Sequence, residues 1–462
     1  MKNISILSFI VMVLVNNISS AQEKHDSRPN IIFILTDDQR WDALGYSGNK
    51  IIYTPAMDQL AKDGCYFKNS FVTTPICAAS RASIMTGLYE RTHNFTFGQP
   101  PLKKQFIDSS YFALLKNVGY YNGFLGKFGV VFQNRLDTTL FDVYKPENIN
   151  SYWRLVNQAS DHIHLTDLMG QRAVDFIKEA PAEKPFCLSV SYNAPHAEDK
   201  SPEQYIWPKD LDTLYQDIQI STPRLSEGKY FEQQPDFVKQ GLNRTRWYWR
   251  YNTPEKYQQM VKGYYRMISA VDRTIASIRN ALEEKGLSDN TVIILMGDNG
   301  YFMGERQFAG KWLMYENALR VPLIIYDPRV QKHNDVADFG LNIDIAPTIL
   351  EYAGVEIPNS YQGISLVNYV NGNKPKKSRN SFLCEHLWDF ERIPASEGIR
   401  SEEWKYFRYV DYPEHEELYH LLNDSNEIRN LALEKKYSSK LNEMRKDFER
   451  IIFDLMSDQE SH

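Results

Sequence analysis

Cysteine, histidine and surplus positive charge are all scarce in this chain of 462 residues. It contains 4 cysteines and 10 histidines, and its 53 basic and 59 acidic side chains give a formal net charge of −6. A nucleic-acid-binding protein needs a basic face, so this balance predicts no nucleic-acid partner. It leaves room for a local cationic pocket that binds an anionic substrate.

Long apolar runs are equally scarce. The one at Ile4–Val15 follows Lys2 and precedes the small residues Ser19-Ser20-Ala21, which predicts a secretory signal peptide over residues 1–21. That run is too short to cross a bilayer, and no later segment is long and apolar enough. We therefore expect an exported protein, periplasmic or secreted, with no membrane span.

Acidic residues follow two predicted buried strands that lie far apart in the chain. Pro29–Leu35 is a continuous apolar run that ends near Asp37-Asp38, and Thr291–Met296 ends near Asp298-Asn299. Adjacent carboxylates repel one another unless a cation lies between them, and hard oxygen ligands suit calcium or magnesium. Asp-Asn-Gly is also a common turn sequence, so the second group indicates a metal site only in combination with the first.

The stretch that begins at Cys77 joins a predicted strand, 67–73, to a predicted helix, 81–88. A cysteine at that junction lies at a helix N-terminus, where backbone N–H groups favour an anion. Arg81 lies one turn further along the same face. The residues alone leave three interpretations open: a small buried hydrophobe, a thiolate nucleophile of a Cys/His hydrolase, or a nucleophile beside a fixed cation.

The pattern Cys77-Ala-Ala-Ser80-Arg81, continued by Thr86-Gly87, resembles the signature of the type I sulfatases, the arylsulfatase-like members of the alkaline phosphatase superfamily. Ala79 replaces the usual proline. The resemblance implies that a maturation enzyme oxidises Cys77 to formylglycine, whose hydrated aldehyde attacks sulfur. It further implies that calcium binds beside this residue, with these ligands: Asp37, Asp38, Cys77, Asp298 and Asn299. Three unmodified cysteines would remain, an odd number that argues against a disulfide framework.

Three more segments match the family in its own order. Gly126-Lys127 resembles the family's Gly-Lys-Trp-His, which makes Lys127 a sulfate ligand, but no histidine occurs between His93 and His162. Ala-Pro-His196 matches the proton donor to the leaving alcohol, and Gly-Lys311 matches a second sulfate-binding lysine. Without the family pattern, a histidine at a strand end is more often structural, and a single lysine is more often a solvated surface group.

Two further regions are expected to shape a substrate cleft. Residues 198–254 are rich in proline, tryptophan and tyrosine without clear periodicity, which is typical of a functional insertion and equally of plain packing. Beyond residue 375, three basic side chains are weaker candidates for substrate contact: His386, Arg392 and Arg400.

Alternating strands and helices predict an α/β fold, and the resemblance implies an alkaline-phosphatase-like large domain whose mixed, mostly parallel sheet lies between helices. Short strands after residue 375 predict a smaller C-terminal α+β domain with an antiparallel sheet. The predicted division is signal peptide 1–21, catalytic domain 22–375 and C-terminal subdomain 376–462. The expected function is hydrolysis of sulfate esters of sulfated sugars or oligosaccharides. The alternatives are a phosphoester hydrolase of the same superfamily and an inactive binder of sulfated glycans.

Overall fold

The computed structural model describes residues 28–97, 99–133, 138–148, 151–155, 162–376, 378–388, 390 and 392–460. The predicted signal peptide, residues 1–21, lies outside these ranges. Within them, no helix combines the length and the apolar character needed to cross a membrane.

The strands, in chain order, are β1 Asn30–Thr36, β2 Cys65–Phe71, β3 Tyr121–Gly126, β4 Val143–Pro146, β5 Trp153–Leu155, β6 His162–His164, β7 Phe186–Ser191, β8 Thr291–Gly297, β9 Phe302–Met303, β10 Ala309–Gly310, β11 Leu323–Tyr326, β12 Asn334–Leu341, β13 Ser381–His386, β14 Ser396–Ser401, β15 Trp404–Tyr409 and β16 Tyr412–His420. The α-helices are α1 Pro55–Asp63, α2 Cys77–Thr86, α3 Glu90–His93, α4 Lys104–Asp108, α5 Tyr111–Asn117, α6 Leu165–Glu179, α7 Gly228–Glu232, α8 Asp236–Lys239, α9 Leu242–Arg250, α10 Pro254–Glu284, α11 Glu316–Leu319, α12 Ile345–Tyr352, α13 Val367–Val370 and α14 Ser438–Glu460.

Eight strands form the central sheet, in the order β12-β2-β11-β8-β1-β7-β3-β4. Strand β11 runs antiparallel to both of its neighbours, and the other pairings are parallel. The carboxyl ends of β1, β3, β7 and β8 therefore meet at one edge of the sheet. This is the edge at which open α/β sheets bind ligands.

The central strands are buried on both faces. In β1 and β8, alternate side chains enter two separate apolar clusters: Ile31 and Phe33 point into one, and Ile32 and Ile34 into the other. The first cluster packs under α2, α5 and α12 and continues into the C-terminal sheet, while the second packs under α1, α6 and α10. A strand covered by helices on both faces needs apolar residues at every position, and β1 has such a run.

The C-terminal part is an antiparallel sheet of four strands, β13-β14-β15-β16, against which α14 packs through Leu441, Met444 and Phe448. The predicted fold, a mostly parallel central sheet with a separate antiparallel C-terminal sheet, is confirmed. The exact domain boundary at residue 375 stays a prediction. The strand and helix predicted around Cys77 shift at both ends: β2 spans Cys65–Phe71 rather than 67–73, and α2 spans Cys77–Thr86 rather than 81–88.

Candidate active site

Two acidic residues leave the sheet at the end of β1, and backbone contacts hold both of them. The Asp37 N–H donates to the Ala194 carbonyl at 3.1 Å, beyond the end of the neighbouring β7. Asp38 has a positive φ of 66°, and its N–H donates to Asp298 Oδ1 at 3.1 Å. The Tyr264 hydroxyl donates to the Asp38 carbonyl at 2.6 Å, so α10 fixes this turn from the opposite side.

The end of β8 brings the second acidic pair to the same place. The Asp298 N–H donates to the Thr36 carbonyl at 2.9 Å, which aligns the ends of β1 and β8. Asn299 Nδ2 donates to Asp38 Oδ1 at 2.6 Å. The four side chains are all between 0% and 1% exposed, so four oxygen-bearing groups are buried together. We call them the acidic cluster: Asp37, Asp38, Asp298 and Asn299.

Cys77 is the first residue of α2 and is 6% exposed. One turn later, Arg81 donates from Nε to Asp298 Oδ2 at 2.9 Å, and its Nη2 lies 2.8 Å from the same oxygen, within ion-pair distance. Its Nη1 donates to the Lys127 carbonyl at 2.6 Å and also to Ser191 Oγ. Arg81, one helical turn after Cys77, is thereby bonded to Asp298 at the end of β8.

Two lysines reach the acidic cluster from other elements. Lys127 follows β3 and its ammonium pairs with Asp37 Oδ2. Lys311 follows β10, and its Nζ lies 2.5 Å from Asp38 Oδ1 and 3.8 Å from Asp37 Oδ1. Their side chains are 16% and 2% exposed, so the two ammonium groups are fixed cations rather than solvated surface groups.

The pKa shifts follow from this mixture of charges. Burial by itself would raise the pKa of Asp37, but Lys127, His196, Lys311 and Arg81 together hold it well below the ordinary value. Burial and the Asp37 charge raise the pKa of Asp298 to about 6. Burial lowers the pKa values of Lys127 and Lys311, but nearby negative charge, above all Asp37 for Lys127 and Asp38 for Lys311, outweighs it, so both pKa values are raised and both ammonium groups stay charged.

His196 follows the Ala194-Pro195 peptide at the end of β7 and faces the cluster. Its Nε2 lies 3.7 Å from Asp38 Oδ2, and its Nδ1 lies 2.6 Å from the Ala197 carbonyl. A carbonyl oxygen can only accept, so Nδ1 carries a hydrogen and Nε2 is the atom that can take up or release a proton. Burial lowers the pKa of His196, and the two aspartates oppose that shift.

The donor set fits a hard divalent cation. Ligand atoms of Asp37, Asp38 and His196 lie within 4.8 Å of one another. Asp37 Oδ1 and Asn299 Oδ1 are buried and accept no hydrogen bond from the described part of the chain. Buried oxygens with no donor are what a bound cation satisfies, and carboxylate and amide oxygens are ligands that calcium prefers.

The histidine that the family pattern carries after Lys127 is replaced by Gly129. This residue has a φ of 73°, and a Cβ atom there would lie 2.9 Å from Arg81 Cδ. Phe128 points instead into a cluster of aromatic rings that includes Phe124 and Phe132. An imidazole at position 129 would therefore clash with the arginine as it is now placed.

The C-terminal candidates lie elsewhere. His386 is 0% exposed, neither ring nitrogen has a hydrogen-bond partner among the described residues, and burial lowers its pKa to about 4. Arg400 pairs with Glu316 at 3.3 Å and lies over the ring of Phe71, and Arg392 donates to Thr245. None of these side chains bonds to the acidic cluster within the described ranges, so their contact with substrate stays a prediction.

Sequence reasoning did not identify two residues that hold the site together. Ser191 accepts from Arg81 and donates to the Lys127 carbonyl at 2.8 Å, and Tyr264 supports Asp38. A serine at the carboxyl end of β7 was a signal for Ser191, although the same strand also contains Ser189. Tyr264 lies among the apolar residues of α10, where nothing in the sequence separates a supporting hydroxyl from ordinary packing.

Comparison with known proteins assigns the chain to a family. The profile described as Sulfatase matches residues 29–355, and that described as N-sulphoglucosamine sulphohydrolase, C-terminal, matches residues 304–454. An N-acetylglucosamine-6-O-sulfatase of Bacteroides thetaiotaomicron is 26% identical over 92% of this chain and 86% of its own.

Solved structures show the same fold. One, of a protein in complex with its substrate D-glucosamine-2-N,6-O-disulfate, has a TM-score of 0.77 at 24% identity, over 93% of this chain and 98% of its own. The phosphonate monoester hydrolase of Agrobacterium radiobacter has the same TM-score at 20% identity, over 93% and 96% of the two chains.

This chain belongs to the sulfatase family. It is a hydrolase of sulfate esters with the α/β fold of that family.

Proposed function

We propose that this protein removes sulfate from sulfated sugars or oligosaccharides, with formylglycine derived from Cys77 as nucleophile and with bound calcium. One observation carries the chemistry: Arg81, Lys127 and Lys311 converge on the carboxylates of Asp298, Asp37 and Asp38, and Arg81 lies one helical turn after Cys77. Three fixed cations near a nucleophile can neutralise the negative charge on the oxygens of a tetrahedral oxyanion.

In this proposal the ligands of calcium are the oxygens of Asp37, Asp38, Asp298 and Asn299, together with the matured residue 77. When bound, the ion would polarise a sulfate oxygen and hold the nucleophile in place. The matured residue 77 supplies a hydroxyl of its hydrated aldehyde. Both the ion and the modification are proposals that rest on the donor set and on the family pattern.

The chain's own side chains carry the remaining tasks. Lys127, Lys311 and Arg81 neutralise the sulfate oxygens, and their burial keeps water from screening them. His196 Nε2 donates a proton to the departing alcohol oxygen, with Nδ1 held by the Ala197 carbonyl. The aspartates next to His196 stabilise its protonated form, which opposes the effect of burial.

The sugar substrate is proposed from the sulfated-sugar activity named for the Bacteroides relative and from the aromatic segment 198–254 beside His196. Export, periplasmic or secreted, and dependence on a formylglycine-generating enzyme are parts of the same proposal. A phosphoester hydrolase remains the second candidate, since a phosphonate monoester hydrolase shares the fold. Among the described residues, the group of possible metal ligands contains one histidine, His196. A second metal ion would need additional ligands, so this group does not favour a two-metal phosphatase site.

The deciding experiment measures sulfate release from a panel of sulfated monosaccharides and oligosaccharides. The protein should come from a host with a formylglycine-generating enzyme, and the mass of its Cys77 peptide should be measured in parallel. We expect release of sulfate that depends on calcium. Release of phosphate with zinc, and none of sulfate, would support the second candidate, and a matured protein without either activity would support a glycan binder.

A further inference from the structure

Next to the sulfate site, one carboxylate joins two arginines of α9. Asp199 Oδ2 accepts from Arg246 Nη2 at 2.5 Å, and Asp199 Oδ1 accepts from Arg250 Nη2. Neither guanidinium forms an ion pair with another carboxylate among the described residues, so the group of three side chains keeps one net positive charge. Burial raises the pKa of Asp199, but Arg246, Arg250 and His196 outweigh it and lower the pKa, so the carboxylate stays ionised.

The two arginines differ in what their remaining N–H groups do. Arg250 is 0% exposed, donates from Nε to Gln204 Oε1 at 2.8 Å, and donates from Nη1 to the Tyr301 hydroxyl at 2.5 Å. All three of its nitrogens therefore have partners, and none of the side chain is exposed. We assign Arg250 to positioning Asp199 rather than to ligand binding.

Arg246 has unused donors. It is 8% exposed, and its Nε is buried without a hydrogen-bond partner in the described part of the chain. Its guanidinium lies over the ring of Trp312, 4.6 Å from the centroid. The Trp312 indole is 4% exposed, and its Nε1 likewise has no partner among the described residues. Two stacked side chains thus each carry a buried N–H donor without an acceptor among the described residues, which costs free energy unless a ligand accepts from them.

The position of this pair is fixed by its neighbours. Trp312 directly follows Lys311. Its backbone N–H donates to the carbonyl of Pro75 at 3.3 Å, and Pro75 lies two residues before Cys77 in the chain. Asp199 comes shortly after His196, and its side chain is 32% exposed. Arg246 and Trp312 therefore flank the proposed sulfate pocket on the side of His196, where the alcohol part of the ester would lie.

We propose that Arg246 and Trp312 bind a second anionic group, a sulfate or a carboxylate, on the sugar whose sulfate ester is cleaved. The uncompensated charge and the two unused N–H donors both favour an anionic acceptor. A guanidinium that binds an oxyanion in a buried place forms strong charge-assisted hydrogen bonds. This inference rests on the proposed function, since it deepens the choice of substrate at the same site.

The test measures binding rather than turnover. Isothermal titration of the Cys77→Ala protein, in calcium, would compare glucosamine 2-N,6-O-disulfate with N-acetylglucosamine 6-O-sulfate, and glucuronic acid 2-O-sulfate with glucose 2-O-sulfate. The first pair adds a sulfate and the second adds a carboxylate. We expect the doubly anionic sugar of at least one pair to bind roughly 10- to 100-fold more tightly, as expected for hydrogen bonds to a charged group. The pair that shows the difference identifies the anion.

Adding Arg246→Ala should reduce that difference to less than about threefold, and Arg246→Lys should restore part of it. The matched control is Arg244→Ala on the same helix, because Arg244 donates to Gln307 Oε1 at 2.7 Å and lies over the Phe231 ring. It should keep the full difference. Equal affinities within both pairs, no binding of any of these sugars, or an unchanged difference in Arg246→Ala would each overturn the inference. Failure to release sulfate in the matured protein would instead count against the proposed function.

Discussion

Two nitrogens of the Arg81 guanidinium lie 2.9 and 2.8 Å from one oxygen of Asp298, and the contact from Nε, at 2.9 Å, is a hydrogen bond. The other oxygen of Asp298 accepts the backbone N–H of Asp38. The arginine of α2 is thereby tied to the ends of β1 and β8 at once, and the helix that carries Cys77 cannot shift without breaking these contacts. The cation and the acidic cluster form one rigid unit.

We expect Arg81→Lys to lower kcat/KM for a sulfated substrate by roughly 10²- to 10³-fold, because a lysine cannot bond to Asp298, Ser191 and the Lys127 carbonyl at the same time. The positive charge of a lysine cannot replace the several N–H donors of the planar guanidinium. Thermal unfolding should verify that the variant is folded, and Arg172→Lys, at an ion pair with Glu147, is the matched control. Full activity in Arg81→Lys would show that the geometry of the guanidinium is not needed.

Cys77→Ala should abolish sulfate release and leave the melting temperature nearly unchanged, because the side chain is small and lies at a helix start. The wild-type Cys77 peptide, from a competent host, should be lighter by about 18 Da, the difference between a thiol and an aldehyde side chain. Cys384→Ala is the control, since that thiol is buried in β13. Activity retained in Cys77→Ala would disprove the nucleophile assignment.

Calcium should raise the melting temperature of the wild-type protein, since a ligand that binds only the folded chain stabilises it. Asp37→Asn should weaken this response, because its Oδ1 is a buried oxygen without a hydrogen-bond donor. Calorimetric scans with calcium and with a chelator would measure the effect. Asp108→Asn, at an exposed ion pair with Lys104, should respond like the wild type. The same calcium response in Asp37→Asn would place the ion elsewhere.

His196→Gln should affect esters of poor leaving groups more than esters of good ones. A sugar alcohol needs a proton as it departs, whereas 4-nitrophenolate departs without one. We expect a loss of roughly 10²- to 10⁴-fold in kcat for a sugar sulfate and a much smaller loss for 4-nitrophenyl sulfate. Equal losses for both substrates would mean that His196 positions the substrate or the cation and does not act as the acid.

Glu90 makes stability depend on pH. Burial and the charge of Glu385 raise the pKa of this carboxyl from 4.5 to about 8. Between those pH values the unfolded chain releases the proton and the folded chain keeps it, so the free energy of unfolding decreases as pH rises.

Glu90→Gln should remove that decrease and be more stable than the wild type by roughly 1–3 kcal/mol at pH 8, with little difference near pH 4. Urea unfolding at several pH values would measure it, and Glu356→Gln, at an exposed position, is the control. A constant difference across the pH range would mean that packing, not ionisation, separates the two proteins.

The sequence by itself predicted the apolar strands, the acidic residues at their ends and the order of the family motifs. These are local properties: a strand covered on both faces must be apolar at every position, as in β1, and the chain must turn where polar residues follow. Parallel pairing then brings the ends of β1 and β8 together, so Asp37 and Asp298 are expected at one edge of the sheet from the sequence alone.

Only the tertiary structure decided which side chains meet across large separations in the chain. Asp199 and Arg246 lie in a segment with no periodicity, and Trp312 differs from other aromatic residues only by the neighbours that folding gives it. His386 was as plausible a ligand as His196 from residue type alone, yet one is buried without hydrogen-bond partners among the described residues and the other faces Asp38. The physical reason is that residue type and spacing determine local structure, whereas charge, burial and unused donors depend on packing between distant elements.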